Sequence, residues 1–391
     1  MSSDALPESS KSDSPESAVP LSDPAARAGG ILEIDLSALA ANWQRLVAES
    51  APAEASAVVK ADAYGLGVAE AAPALWQAGA RTFFVAQLDE ALTLRALLPQ
   101  ARIYVLNGLM AGAEADYPAH DLRPVLNSLE ELGRWRQTLG ARPHPAALQI
   151  DSGMSRLGLE ARELARLASE PQRAAGLEIT HLMSHLASAD VPGSPQSEQQ
   201  LAEFLAARQT LAAALGPAGA SLANSAGVFL GPAYRFDLTR PGSALYGINP
   251  TPGRSNPMRQ VVRLKGKILQ LREIDPLRGV GYGASWRAQG PTRIATVAVG
   301  YADGYLRSLS NSGEALVGGH KAPVVGRVSM DLITLDVTAV PEAAARPGTF
   351  AELLGPDLPV DTVGDAAGTI GYEILTSLGR RYHRVYRGGA A

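Results

Sequence analysis

Thr82-Phe83-Phe84-Val85-Ala86, then Leu88–Leu98, then Ile103-Tyr104-Val105-Leu106-Asn107 decide how this chain is built. The first and last pieces are short apolar runs rich in aromatic and β-branched residues, as in strands buried on both faces. The middle piece repeats its apolar residues at three and four, the period of a helix. The same rhythm extends to both sides. Further strand-like runs are Ala57–Lys60, Pro124–Asn127, Ala146–Asp151, Thr180–His185, Ser221–Asn224 and a weaker one near Leu238–Tyr246. Helix-patterned segments include Ser128–Thr138, Ala161–Ser169 and Glu198–Ala214. An open doubly wound sheet would also alternate in this way. Eight runs with intervening helices favour an α/β fold of the (β/α)8 TIM type.

Beyond about Pro250 the rhythm changes. Val261–Leu271, Thr292–Val299, Ala315–Val317, Pro323–Val328, Leu332–Asp336 and Thr349–Leu354 read as strands joined by links rich in Gly, Pro and Asp. Helix patterning is scarce there, so the barrel, taken as 37–255, is followed by a mostly β domain, 256–391. The segment 29–36 precedes the first barrel helix and is expected to join the β domain. Residues 1–28 hold eight serines, four prolines, five acids and two bases. Such a segment cannot bury a core and reads as a disordered tail.

Composition narrows the function. The 391 residues carry a net charge of −4 and no cysteine. Thiolate chemistry and disulfides are excluded, and a basic nucleic-acid groove or polybasic membrane face is not expected. The charge-free stretch Leu211–Tyr234 is broken by glycines, prolines and Asn224, so no spanning helix is expected. The N-terminus has no apolar signal core, which points to a cytoplasmic protein. No metal site is expected.

Functional groups of a barrel gather at the C-terminal ends of its strands. Lys60, Arg156, His185, Asn224 with Ser225, and Arg240 all fall there. Singly, each has a plain explanation: a solvated lysine tip, a structural histidine, a helix cap. Together they converge on one face. Lys60 ends an apolar run and enters Ala61-Asp62-Ala63-Tyr64-Gly65-Leu66-Gly67. Partial desolvation lowers an amine's pKa and makes it a nucleophile towards carbonyls. A phosphate could accept hydrogen bonds from Tyr64, Ser225 and the amides at Gly242 and Ser243. A carbonyl-binding lysine beside a phosphate cradle describes a pyridoxal 5'-phosphate site.

From about Ile31 to Arg387 the chain resembles the alanine racemases, pyridoxal phosphate-dependent enzymes built from a barrel and a β domain. The resemblance rests on Val58–Gly65, Ile150–Gly158, Ser184–Asp190, Asn224-Ser225-Ala226, Arg240-Pro241-Gly242, Gly281–Ala284, Gly300–Gly304, Gly326–Asp331 and Gly371-Tyr372-Glu373, in family order. It implies racemisation of alanine for peptidoglycan supply or alanine catabolism, in a homodimer with shared active sites. Lys60 would hold the cofactor and act as one acid/base, and Tyr282 from the partner subunit as the other. Arg156 would contact the cofactor's phenolic oxygen and the substrate, and Arg240 its ring nitrogen. His185 would link Tyr282 to Arg240. Tyr64, Asn224, Ser225, Gly242, Ser243 and Tyr372 would hold the cofactor, and the Met330 backbone the substrate carboxylate. Asp190, Tyr301, Arg307 and Arg327 would line the access route.

The chain departs from the family in places. Gln149 stands where many relatives have a carbamylated lysine that orients the arginine, so no carbamate is expected. Asp62, Leu66 and Ser329 also differ. Related decarboxylases use a glycine triplet and a cysteine, both missing here, and barrel-only cofactor carriers lack a β domain.

Overall fold

The computed structural model describes residues 23–140 and 142–389. Ala57–Val58, Thr82–Val85, Arg102–Val105, Leu122–Leu126, Pro145–Gln149, Glu178–Met183 and Gly219–Ser221 form a seven-stranded parallel sheet in chain order. The eighth run yields only the two-residue strand Leu238–Thr239, which pairs with Glu54–Ala55. Even so, it closes the ring. On one side the Asp237 and Arg240 amides donate to the Ala220 and Ala223 carbonyls at 3.0 and 2.9 Å. On the other, the Ser56 and Val58 amides donate to Thr239 and Pro241, both at 3.0 Å. The fold is therefore a TIM-type barrel followed by a β-rich domain; Phe84 and Tyr104 stack inside the barrel, while Phe83 packs outward on Trp76.

Helices cover the barrel where the periodicity predicts them: Leu88–Leu97, Leu129–Leu139, Ala161–Ser169 and Pro195–Leu215. Their starts follow from capping chemistry. Ser128 caps the second, and capping boxes pair Gln87 with Glu90 and Glu160 with Glu163.

In the second domain an eight-stranded sheet is built around the long strand Val262–Ile274. Gly30–Asp35 lies inside this sheet, antiparallel to Val262–Ile274 and parallel to His383–Arg387. The strand expected over Pro323–Val328 sits earlier, at His320–Pro323, where it forms a hairpin with Glu314–Val317. Past it the chain turns through Gly326, at φ 81°, which no regular strand accommodates. Two helices, Val360–Ala367 and Gly371–Ser377, fall where none was expected.

Most of the tail expected over 1–28 lies outside the described residues. Its last part does not fit that reading: Pro24–Arg27 form a helical turn capped by Asp23, and Lys267 Nζ donates to the Ala26 carbonyl at 2.6 Å. No helix among the described residues is long and apolar enough to cross a membrane.

Candidate active site

The strand Ala57–Val58 ends in a sharp turn. Ala61, Asp62, Ala63 and Tyr64 all take left-handed conformations, with φ of 54–55°. Each such non-glycine residue costs about 1–2 kcal/mol, so the turn must be held from outside. Asp62 Oδ1 accepts from the Val68 amide at 2.7 Å, and Glu90 Oε1 accepts from the Ala61 amide at 2.5 Å. Gly65 follows at φ 82°, and a side chain there would meet the Leu375 carbonyl at 2.5 Å. The turn leaves Lys60 and Tyr64 on the same cavity at the barrel mouth. The Tyr64 ring stacks on Tyr246, with centroids 4.6 Å apart.

That cavity measures about 370 Å³ and is walled by Lys60, Tyr64, Arg156, His185, Asn224, Ser225, Arg240, Gly242, Ser243 and Tyr372. Val58, Leu106 and Thr376 complete it and were not anticipated. Thr376 lies one helical turn beyond Tyr372, a spacing that could have pointed to it.

Three cations, Lys60, Arg156 and Arg240, and no carboxylate line the cavity. Burial lowers the Lys60 pKa, Arg156 lowers it further, and the Glu90 charge opposes both. Arg240 is buried without an acidic partner. Burial brings its pKa down to about 10, so it remains a cation near neutrality. Its guanidinium donates to the Ser221 hydroxyl and the Ser184 carbonyl, and to the Leu222 carbonyl at 3.4 Å. Among the described residues no hydrogen bond joins His185 to Arg240, and both line the same cavity. Gln149 is buried and makes no hydrogen bond to Arg156.

Burial, with Arg240, Arg156 and Lys60 nearby, pushes the His185 pKa down to about 3. The folded imidazole is therefore neutral where the unfolded one, with an ordinary pKa near 6.5, takes a proton. Across that window the unfolded chain binds more protons, so stability falls as pH drops, by on the order of a few kcal/mol at the acid end. Urea melts at pH 7 and pH 4.5 should show this loss, and His185→Gln should reduce it. Equal losses in both proteins would refute the assignment.

At one end of the cavity hydroxyls collect. Ser225 Oγ accepts from the Gly242 and Ala244 amides at 2.9 and 3.2 Å, and Ser243 Oγ donates to Tyr372 Oη at 2.9 Å. A side chain at Gly242 would run into the Tyr64 hydroxyl. Asn224 also has its plain role: it caps Ser225–Phe229, accepting from the Gly227 amide at 2.9 Å.

The remaining expected residues do not line this cavity. Tyr282 and Arg327 flank a separate depression on the β domain, and Asp190 and Arg307 are exposed. Tyr301 and Met330 are neighbours, since the Ala302 amide donates to the Met330 carbonyl at 2.9 Å. Tyr282 is 73% exposed, Met330 54% and Tyr301 42%.

The family models for the alanine racemase N-terminal and C-terminal domains match residues 34–250 and 261–386. The alanine racemase of Methylobacterium nodulans is 55% identical, with 93% of this chain and 97% of that one covered. A catabolic alanine racemase of Mesorhizobium japonicum is 50% identical, with 93% and 95% covered. Among solved structures, the alanine racemase of Bartonella henselae with covalently bound pyridoxal phosphate superposes at a TM-score of 0.88. It is 43% identical and covers 92% of this chain and 99% of that one. By sequence and by fold, the chain belongs to the alanine racemase family.

Proposed function

We propose that this protein interconverts L- and D-alanine with pyridoxal 5'-phosphate, as a homodimer in which each subunit completes its partner's site. The observation that carries this reading is the cavity at the barrel mouth. A half-buried amine, two arginines and a cluster of hydroxyls surround it, with no acidic side chain. That donor set fits a dianionic phosphate and a substrate carboxylate. The missing side chain at Gly242 lets the Tyr64 hydroxyl lie close against that backbone at the cavity wall.

When bound, the cofactor supplies an aldehyde for covalent attachment and an electron-withdrawing ring that acidifies the alanine Cα–H. Lys60 Nζ holds it and takes or returns the Cα proton on one face. Inversion needs a second group on the other face, and Tyr282 Oη of the partner subunit supplies it. Arg240, a cation that holds its proton near neutrality, would face the ring nitrogen and leave it unprotonated, which would favour return of the proton to Cα. Tyr64, Asn224, Ser225, Gly242, Ser243 and Tyr372 orient the cofactor. Arg156 and the Met330 backbone hold the substrate carboxylate. Asp190, Tyr301, Arg307 and Arg327 line the access route.

An exposed apolar group on the β domain, Tyr282, Tyr301, Met330 and Leu332, supports the dimer, because such patches mark interaction surfaces. A cytoplasmic enzyme feeding peptidoglycan synthesis or alanine breakdown fits both directions of the reaction.

Chiral chromatography after incubation with L-alanine should give equal amounts of the two enantiomers, since mirror images have equal free energy in water. Borohydride reduction and peptide mapping should find the cofactor on Lys60. An unchanged enantiomer in cofactor-loaded protein, or a label elsewhere, would reject the reading.

A further inference from the structure

Three barrel helices carry a glutamate at their third position: Glu90 in Leu88–Leu97, Glu131 in Leu129–Leu139 and Glu163 in Ala161–Ser169. Each carboxylate accepts an amide from its own helix start: Gln87 at 3.0 Å, Asn127 at 2.8 Å and Glu160 at 3.4 Å. Each also accepts an amide from the preceding unit of the barrel: Ala61 at 2.5 Å, Leu109 at 3.3 Å and Leu129 at 2.8 Å. A glutamate in the first turn satisfies amides that the helix leaves unpaired and sits at the positive end of its dipole. Here the same carboxylate also stitches neighbouring units together. What it stitches differs. Glu131 and Glu163 reach an ordinary loop and a helix start. Glu90 reaches the amide bonded directly to Lys60, at the first residue of the left-handed turn.

We propose that Glu90 is a positioning residue for Lys60: its carboxylate clamps the left-handed turn to the next barrel helix and so fixes where the lysine amine stands in the cavity. Two observations converge on this. The turn is conformationally costly at four successive non-glycine residues, so it depends on its anchors. The Glu90 charge also acts directly on Lys60, opposing the lowering by burial and Arg156. Arg156, His185, Arg240, Tyr64 and Tyr372 face the amine around the same cavity. Without Glu90 the amine would be left among cations and neutral groups.

The proposal rests on Lys60 being the cofactor lysine, but its test does not. In full-length protein stripped of cofactor, acetylation of Lys60 is followed against pH by peptide mass. Glu90→Gln keeps an acceptor for the Ala61 amide and removes the charge. It should lower the midpoint of Lys60 labelling by about 0.5–1 pH unit. Glu90→Ala removes both and should also speed release of the cofactor from holoenzyme to hydroxylamine, read in the visible spectrum, by about tenfold. Glu131→Gln and Glu163→Gln should move neither quantity. An unchanged midpoint in Glu90→Gln overturns the proposal, as do equal shifts in the two control variants. Should Glu90→Ala fail to fold, the Glu90→Gln midpoint decides alone. A lysine that never captures cofactor would sink the functional reading and leave the labelling result standing.

Discussion

Lys60→Ala should abolish racemisation and covalent retention of the cofactor together. General acid–base and covalent roles on one side chain place the expected loss at about 10⁴-fold or more. The chain has five lysines, and Lys60 is the one that lines the cavity. Lys265 pairs with Glu33, Lys267 bonds the Ala26 carbonyl and Lys321 pairs with Glu314, so none is placed to substitute. Lys11 lies outside the described residues. The variant should melt close to the parent, because the lost amine is only partly buried. The measurements are chiral turnover, the visible spectrum and peptide mapping after reduction. Retention of a tenth of the activity, or a reducible adduct at another lysine, would defeat the assignment.

Tyr282→Phe removes one oxygen from a side chain that is 73% exposed, so its effect on stability should be within about 0.5 kcal/mol. Racemisation should fall by about 10²–10⁴-fold. The equilibrium constant is one, so kcat/KM must fall equally in both directions. The asymmetry should surface in hydrogen exchange instead. In deuterium oxide, the enantiomer whose Cα–H faces Lys60 should still exchange without inverting, and the other should not. Equal exchange of both would remove Tyr282 from the mechanism. Mixing this variant with Lys60→Ala tests the shared site. Random reassociation makes half the dimers mixed, each with one intact site, so about a quarter of parental activity should return. No recovery in proven mixed dimers would count against sharing.

The barrel was legible because strands buried on both faces are written as continuous apolar runs, as in Thr82–Val85, whose four residues are all buried. The eighth strand was faint because closure needs only a few bonds around Leu238–Thr239. His383–Arg387 escaped notice because none of its residues is fully buried, and no alternation marks it. Gly371–Ser377 is only seven residues long, too short to reveal a period. Residues at strand ends could be grouped from position alone. Glu90 could not, although the capping pattern Gln87 to Glu90 was present, because its second bond crosses to another unit of the barrel. Tyr282, Tyr301 and Met330 were named by resemblance, and nothing in one chain brings them to Lys60.

The threading of Gly30–Asp35 into the second domain bears on how the molecule is made. On the ribosome this strand emerges more than two hundred residues before its first partner, Val262–Ile274, and earlier still relative to His383–Arg387. The barrel can assemble while Leu32 and Ile34, both fully buried in the end, remain without a sheet to join. For most of translation the nascent protein thus trails a sticky apolar ribbon, the segment on which a chaperone would be expected to act.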